Sequence, residues 1–246
     1  MPEGYAALLA LAPIAFAAAL VYGVTGFGAA LIAIPLATHF VPLPFALAVF
    51  VLVDLSNSLR LGLEAPRHVV RGEVARLVPM ILVGTAFGAT LLVNMPRRVG
   101  MLALGCFVVA FALYSLLARA RRRTVGGGWA YPAGLAGGVT SALFGAGGPP
   151  YAIYLSQRNL SKESFRATLA LTSVASISLR LAAFALTGLM SSPRVWLAAA
   201  LALPAAWVGI SVAAHLFVRM RRETLMRAVA LLLLASGASL VARALA

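Results

Sequence analysis

The sequence predicts an all-α polytopic membrane protein built from two inverted repeats, each a glycine-broken re-entrant or short-helix hairpin followed by three transmembrane helices. Three observations predict it. Hydrophobic residues fill 62% of the 246 positions, charged residues only 11%, and the mean hydropathy is +0.98; soluble domains of this length are not so apolar. Apolar stretches long enough to cross a hydrocarbon core of ~30 Å follow one another along the chain. One pattern then occurs twice, about 120 residues apart. Ser56-Asn57-Ser58-Leu59-Arg60-Leu61 is answered by Ser176-Ile177-Ser178-Leu179-Arg180-Leu181. Gly23-Val24-Thr25-Gly26-Phe27-Gly28 is answered by Phe144-Gly145-Ala146-Gly147-Gly148-Pro149-Pro150. Pro79 and Gly84 match Pro204 and Gly209, and Asn94 to Arg97 match Arg219 to Arg222. The drifting spacing marks duplication with divergence rather than a solenoid.

The elements follow in order. Residues 5–40 are apolar throughout. As one helix they would be ~54 Å long, so the chain must fold back near the glycines ending at Gly28. Apolar runs over 43–61, 74–93 and 99–118 read as three crossings. Residues 129–156 are again apolar but broken from Gly145 to Pro150. Runs over 167–190, 195–218 and 224–242 complete the set. The first repeat is assigned to 1–123, a Gly-rich linker end to 124–128 and the second repeat to 129–246. Met1-Pro2-Glu3-Gly4 lacks the basic stretch of a signal peptide, and no lipidation motif is visible. The single cysteine, Cys106, allows neither an internal disulfide nor a cysteine metal cluster, and reads as a small inert hydrophobe.

Charge sets the orientation. The net charge is +14, but the basic residues sit in short loops between apolar runs, not on a soluble face, so nucleic acid is not the partner. If each broken region starts and ends on one side, three crossings per half turn the second half upside down. Arg60, Arg67, Arg71 and Arg76, Arg119 and Arg121 to Arg123, Arg158, Lys162 and Arg166, and Arg219, Arg221, Arg222 and Arg227 then share one side. Arg97, Arg98, Arg194 and Arg243 take the other. The positive-inside rule makes the crowded side cytoplasmic and puts both termini outside. Two short full crossings per broken region give the same parity, so hairpin and double span both stand.

Backbone polar groups freed within a bilayer must be buried in protein or line a cavity. Paired breaks at matching places are the sequence pattern of a secondary transporter, with the substrate held at the breaks. A helix restarting after each break presents unpaired N–H groups and a positive dipole end to an anion. Thr25, Gly26, Phe27 and Gly28 in the first half, and Gly145, Ala146, Gly147 and Gly148 in the second, are the candidate binding residues. Pro149 and Pro150 suit an opening helical turn, and Thr140 and Ser141 offer hydroxyls. The bland reading is that such glycines serve helix packing. Arg180 stands alone in an apolar stretch, where a charge is costly. It is expected either to meet an anionic substrate or to pair with Asp54, and the two are compatible if substrate displaces the carboxylate. Arg60, its repeat counterpart, either shares that role or snorkels to the interface. Asp54 is the candidate for proton coupling, the alternative being a charge held by an arginine or by Ser56, Asn57 and Ser58. His39, His68 and His215 read as interfacial, structural or solvated. Tyr22, Tyr151 and Tyr154 flank the breaks; their hydroxyls can hydrogen-bond a ligand, and packing or interface anchoring is the simpler role.

No nucleotide-binding Gly-x-x-x-x-Gly-Lys-Ser/Thr loop is present, so ATP does not drive the chain directly. Neither His-Glu-x-x-His nor Gly-x-Ser-x-Gly occurs, which disfavours a hydrolase. The sequence therefore predicts no catalytic residues, no metal and no cofactor.

Two segments carry a family likeness: Gly26 to Leu36 (Gly-Phe-Gly-Ala-Ala-Leu-Ile-Ala-Ile-Pro-Leu), and Gly145 to Leu155 followed by Phe165-Arg166-Ala167-Thr168. With them the chain resembles the sulfite exporter TauE/SafE family of membrane permeases over nearly its whole length. Many members have more glycine where this chain has Ala29 and Ala30. The resemblance implies transport of sulfite, sulfoacetate, other sulfonates or related organic anions across the inner membrane of a prokaryotic cell. The cysteine relay of some related permeases does not carry over, since Cys106 lies outside both motifs. The expected function is a secondary anion transporter working by alternating access. Its rivals are a passive anion channel and a membrane scaffold or enzyme subunit. The expected partners are a small anion and the lipid bilayer; coupling to a proton or another ion, and a homodimer, are compatible with the sequence.

Overall fold

The computed structural model describes residues 5–25, 28–62, 66–117, 124–216 and 222–245. Every regular element among them is helical. The first half comprises α1 (Tyr5–Thr25), α2 (Ala29–Ala37), α3 (Leu43–Gly62), α4 (Arg71–Asn94) and α5 (Arg97–Leu117). The second comprises α6 (Ala130–Phe144), α7 (Gly148–Ser156), α8 (Lys162–Leu186), α9 (Pro193–Leu216) and α10 (Arg222–Leu245). Helices α3, α4, α5, α8 and α9 are long and apolar enough to cross a membrane. The 24 residues of α10 form a further helix with an apolar stretch over Ala230–Leu245. This is a multi-pass membrane protein. The apolar runs and the helices coincide to within a few residues except in α8. That helix starts at Lys162 because Ser161 caps it, its hydroxyl accepting from the Ser164 N–H at 3.1 Å. It stops at Leu186, ahead of Gly188 at φ +77°, a backbone state glycine adopts without a Cβ penalty.

The packing has an internal match. Helix α1 lies along α9 as α6 lies along α4. Helix α3 touches α9 as α8 touches α4, and α3 and α8, like α5 and α10, face each other. Glycines set these contacts, because helices in lipid associate through close packing of small residues rather than hydrophobic exclusion. A Cβ on Gly84 of α4 would run into the Leu135 carbonyl of α6, and one on Gly138 would run into the Ile81 carbonyl of α4. The sequence counterpart of Gly84 does the same work: a Cβ on Gly209 of α9 would sit 2.6 Å from the Phe16 carbonyl oxygen of α1. Gly105 of α5 and Gly237 of α10 approach each other in the same way, each Cβ position about 3 Å from the other's carbonyl oxygen.

The short helices α2 and α7 fold back on the helices that precede them, α1 and α6. Both regions are therefore a helix plus a returning half-helix. Helix α2 is buried on nearly every side, as its uniformly apolar sequence requires. At one end of the molecule a polar clasp joins the halves. Glu73, buried in the first turn of α4, accepts from Arg76 (3.1 Å), from Arg158 (2.8 and 3.0 Å) and from the Tyr154 hydroxyl. Arg158 also donates to the Val125 carbonyl at 2.7 Å, and the Val70 N–H donates to Thr168 at 3.0 Å. The carboxylate pushes the pKa of the Arg158 guanidinium, in the α7–α8 loop, further up, chiefly by hydrogen bonding. At the opposite end Arg98 donates to the Ala244 and Leu245 carbonyls at 2.6 and 2.8 Å, satisfying the acceptors left at the C-terminus of α10.

Candidate functional site

Each break is built by a left-handed glycine. Gly28 (φ +87°) precedes α2 and Gly145 (φ +71°) ends α6. The end of α6 closes with Gly145 N–H on the Ser141 carbonyl (2.9 Å), the bond of an αL helix stop, and Ala146 N–H on the Thr140 carbonyl (3.1 Å). The Thr140 hydroxyl ties down the Ala146 carbonyl at 3.1 Å. The two breaks touch: a Cβ on Gly145 would lie 2.7 Å from Ala30 Cβ and 2.9 Å from an Arg180 guanidinium nitrogen.

Between them lies a cavity of about 30 Å³, room for about two waters. One break supplies Gly28, Ala29 and Ala30, and the other supplies Gly145, Gly147 and Gly148. Helices α3 and α8 supply Asp54, Ser58, Ser173 and Ser176, spaced to share one helix face in each case. Two tyrosines close the walls through hydroxyl pairs, Tyr22 with Ser58 at 2.8 Å and Tyr151 with Ser176 at 2.9 Å. Ser176 reaches on to Ser141 at 3.2 Å. Neither half-helix has a side-chain cap, so first-turn N–H groups are free of that competition. The two are unequal donors, however. Pro149 and Pro150 occupy the first turn of α7 and carry no N–H, whereas α2 opens with Ala29 and Ala30.

Behind the cavity Arg180, 1% exposed, donates to Asp54, 5% exposed, at 2.8 Å. Its other terminal nitrogen donates to the Ser141 carbonyl at 3.1 Å, which links the charge to the broken end of α6. Arg180 Nε and both amide atoms of Asn57, one turn from Asp54, find no protein partner among the described residues. Such buried vacancies are uncommon and call for a physical reason.

The structure thus brings Gly28, Gly145, Gly147, Gly148 and Asp54 to one cavity, with Arg180 directly behind it. Ala146 is buried beside it. Arg60 is not part of this group: it is exposed and donates to Ser211 of α9 at 3.3 Å. Gly26 and Phe27, and the side chains of Thr25 and His215, lie outside the described residues. His39 bridges the Pro35 carbonyl and Ser239, and Cys106 is exposed. For Tyr22 and Tyr151 packing is the simpler reading of the sequence, and Ser173, and Ser176 beyond its place in the repeat, are site residues that the sequence does not single out. Their signal was the repetition of serine on the face of α8 that carries Arg180. No group of three or more His, Cys, Asp or Glu side chains able to hold a metal occurs among the described residues.

A multi-pass helical protein whose two glycine breaks meet at a buried polar cavity has the build of a membrane transporter. Residues 11–240 match the family described as Sulfite exporter TauE/SafE. The chain belongs to that family and is a membrane transporter. It is 26% identical over 191 residues to the probable inner membrane transporter protein TsaS of Comamonas testosteroni, covering 77% of this chain and 80% of that protein. No solved structure matches.

Proposed function

We propose that the protein is a secondary permease of the inner membrane for a small sulfur-containing or organic anion, such as sulfite, sulfoacetate or another sulfonate. One observation carries the reading: two breaks from opposite halves wall a single cavity backed by the Arg180–Asp54 pair. The anion enters between the breaks, takes N–H groups at the start of α2 and hydroxyls from the serines, and competes with Asp54 for Arg180. Room for about two waters is less than such an anion needs, so substrate entry must separate the breaks. Alternating access then rocks one half against the other, with the halves inverted in the membrane, the basic loops cytoplasmic and both termini outside. Asp54, released when anion occupies Arg180, is the coupling group. The matched helix pairs support the repeat arrangement, and the family supports a permease.

The test is a thermal-shift panel on the protein in detergent, with sulfite, sulfoacetate, taurine, thiosulfate, sulfate, acetate and chloride at matched ionic strength. An anion at 100 times its Kd adds about 2.7 kcal/mol of stability. The expected result is a rise with one or a few sulfur oxyanions, lost in Arg180→Gln. Full response in Arg180→Gln removes Arg180 from the site, and no response to any anion in the wild type overturns the anion reading.

A further inference from the structure

We propose that the groove between α6, α7 and the segment joining the two halves binds an anionic phospholipid, acyl chain in the groove and headgroup beside Arg76. The groove holds about 470 Å³, within the range of real ligand sites. Its walls are apolar: Pro132 and Ala133 of α6, Pro150 and Ile153 of α7, and Val125 and Trp129 of the joining segment. The polar side-chain groups of the lining are the Tyr154 hydroxyl and the Gln157 amide, near the clasp, and the Trp129 indole N–H. A volume of this kind on a membrane-crossing protein takes hydrocarbon.

The mouth gives the depth and the charge. Trp129 is 63% exposed, with Tyr131 exposed beside it; such aromatic residues settle at the headgroup level. Both clasp arginines reach the same rim. Arg158 donates to the carbonyl of Val125, a wall residue. Arg76 lies against Gly127, where a Cβ would come within 2.9 Å of its guanidinium, and its side chain is 48% exposed. Among the described residues these two cations share one carboxylate, Glu73. The rim is left with a positive excess and a half-exposed donor group, directly above an apolar slot. A zwitterionic headgroup satisfies the slot but not the charge; a phosphatidylglycerol satisfies both. One basic residue near a membrane surface gives a preference of about fivefold for anionic over neutral lipid.

The site bears on the rest of the molecule through α7. Pro150, Ile153 and Tyr154 form its groove side, while Gly148 and Tyr151 of the same nine residues face the central cavity. A bound lipid therefore braces the half-helix that walls the cavity.

The experiment uses the chain's three tryptophans, Trp129, Trp196 and Trp207. The full-length Trp196→Phe/Trp207→Phe variant, reconstituted in phosphatidylcholine vesicles, leaves Trp129 as the reporter. Acyl-brominated phosphatidylglycerol is expected to quench it at about fivefold lower mole fraction than brominated phosphatidylcholine. Arg76→Gln is expected to erase the difference, and Ala133→Phe to reduce quenching by both. Trp207 donates to Ser56 at 2.8 Å, so the wild type is measured in parallel, by the rise in Tm with each lipid in detergent. Phosphatidylglycerol raising the wild-type Tm at about fivefold lower concentration than phosphatidylcholine, with the gap closed by Arg76→Gln, supports the site. Equal curves for the two lipids, or a preference that survives Arg76→Gln, overturns it.

Discussion

Asp54→Asn removes the counter-charge from a guanidinium that is almost fully enclosed. Breaking a buried pair from one side costs about 3–5 kcal/mol, because the remaining charge stays desolvated. The asparagine oxygen keeps a hydrogen-bond acceptor near the position that now stands 2.8 Å from Arg180, which returns about 1 kcal/mol. The net loss is roughly 2–4 kcal/mol, and at 2–4 °C per kcal/mol for a chain of this length the Tm falls by roughly 4–16 °C. Arg180→Gln costs less, since a stranded carboxylate can discharge by taking up a proton and a guanidinium cannot. In the double variant both charges are gone, and it melts above Asp54→Asn. The assay is thermal unfolding in detergent of the four proteins, read as a double-mutant cycle. The anion response separates stability from binding: Asp54→Asn lowers the apo Tm yet enlarges the shift produced by the active anion, because Arg180 no longer has an internal competitor. Additive losses in the cycle would show that the two charges do not act as a pair. An anion shift in Asp54→Asn no larger than in the wild type would refute competition for Arg180.

Four further substitutions have expected outcomes. Gly145→Ala combines a positive φ with a Cβ driven against Ala30 and the Arg180 guanidinium; the loss is about 2–5 kcal/mol by thermal unfolding, with the anion response lost as Arg180 is displaced. Gly84→Ala pushes a Cβ into the Leu135 carbonyl and destabilises by about 1–3 kcal/mol. Gly72→Ala, in the same helix with open space around its Cβ, stabilises by about 0.5–1 kcal/mol, and equal effects of the two would sink the close-packing account. Glu73→Gln leaves Arg158 and Arg76 without their shared carboxylate; both are partly exposed and regain water, so the cost is about 2 kcal/mol, seen as faster protease cleavage in the segment joining the halves.

Much of this arrangement is written in local chemistry. A run such as Leu43 to Leu61 is apolar at every turn and has no alternative in a bilayer to a helix that satisfies its own backbone. The glycines before Ala29 and Gly148 mark where a helix cannot continue, and the lone Asp54 and Arg180 are conspicuous because their neighbours are not charged. The repeat of Gly84 at Gly209 is equally local, and the two residues turn out to serve matching helix contacts. The ends of α8 were less legible, since the Ser161 cap starts the helix inside the polar stretch from Gln157 to Arg166, ahead of the apolar run, and Gly188 stops it before that run ends.

What no local signal carries is which polar groups meet across the interior. Asp54 and Arg180 are 126 positions apart, and Arg60 has the same sequence setting as Arg180 yet ends exposed at the end of α3, against Ser211 of α9. Tyr22 and Tyr151 were indistinguishable from packing aromatics until Ser58 and Ser176 stood opposite them. Glu73 reads as an ordinary first-turn acid, and only the fold brings Tyr154 and Arg158 of the other half onto it. Composition and breaks decide where the chain crosses and where it bends, because the bilayer acts on each segment separately. Pairing decides which charges are buried together, because burial of a charge is tolerable only where another element supplies its partner, and that partner is chosen by the packing of helices far apart in sequence.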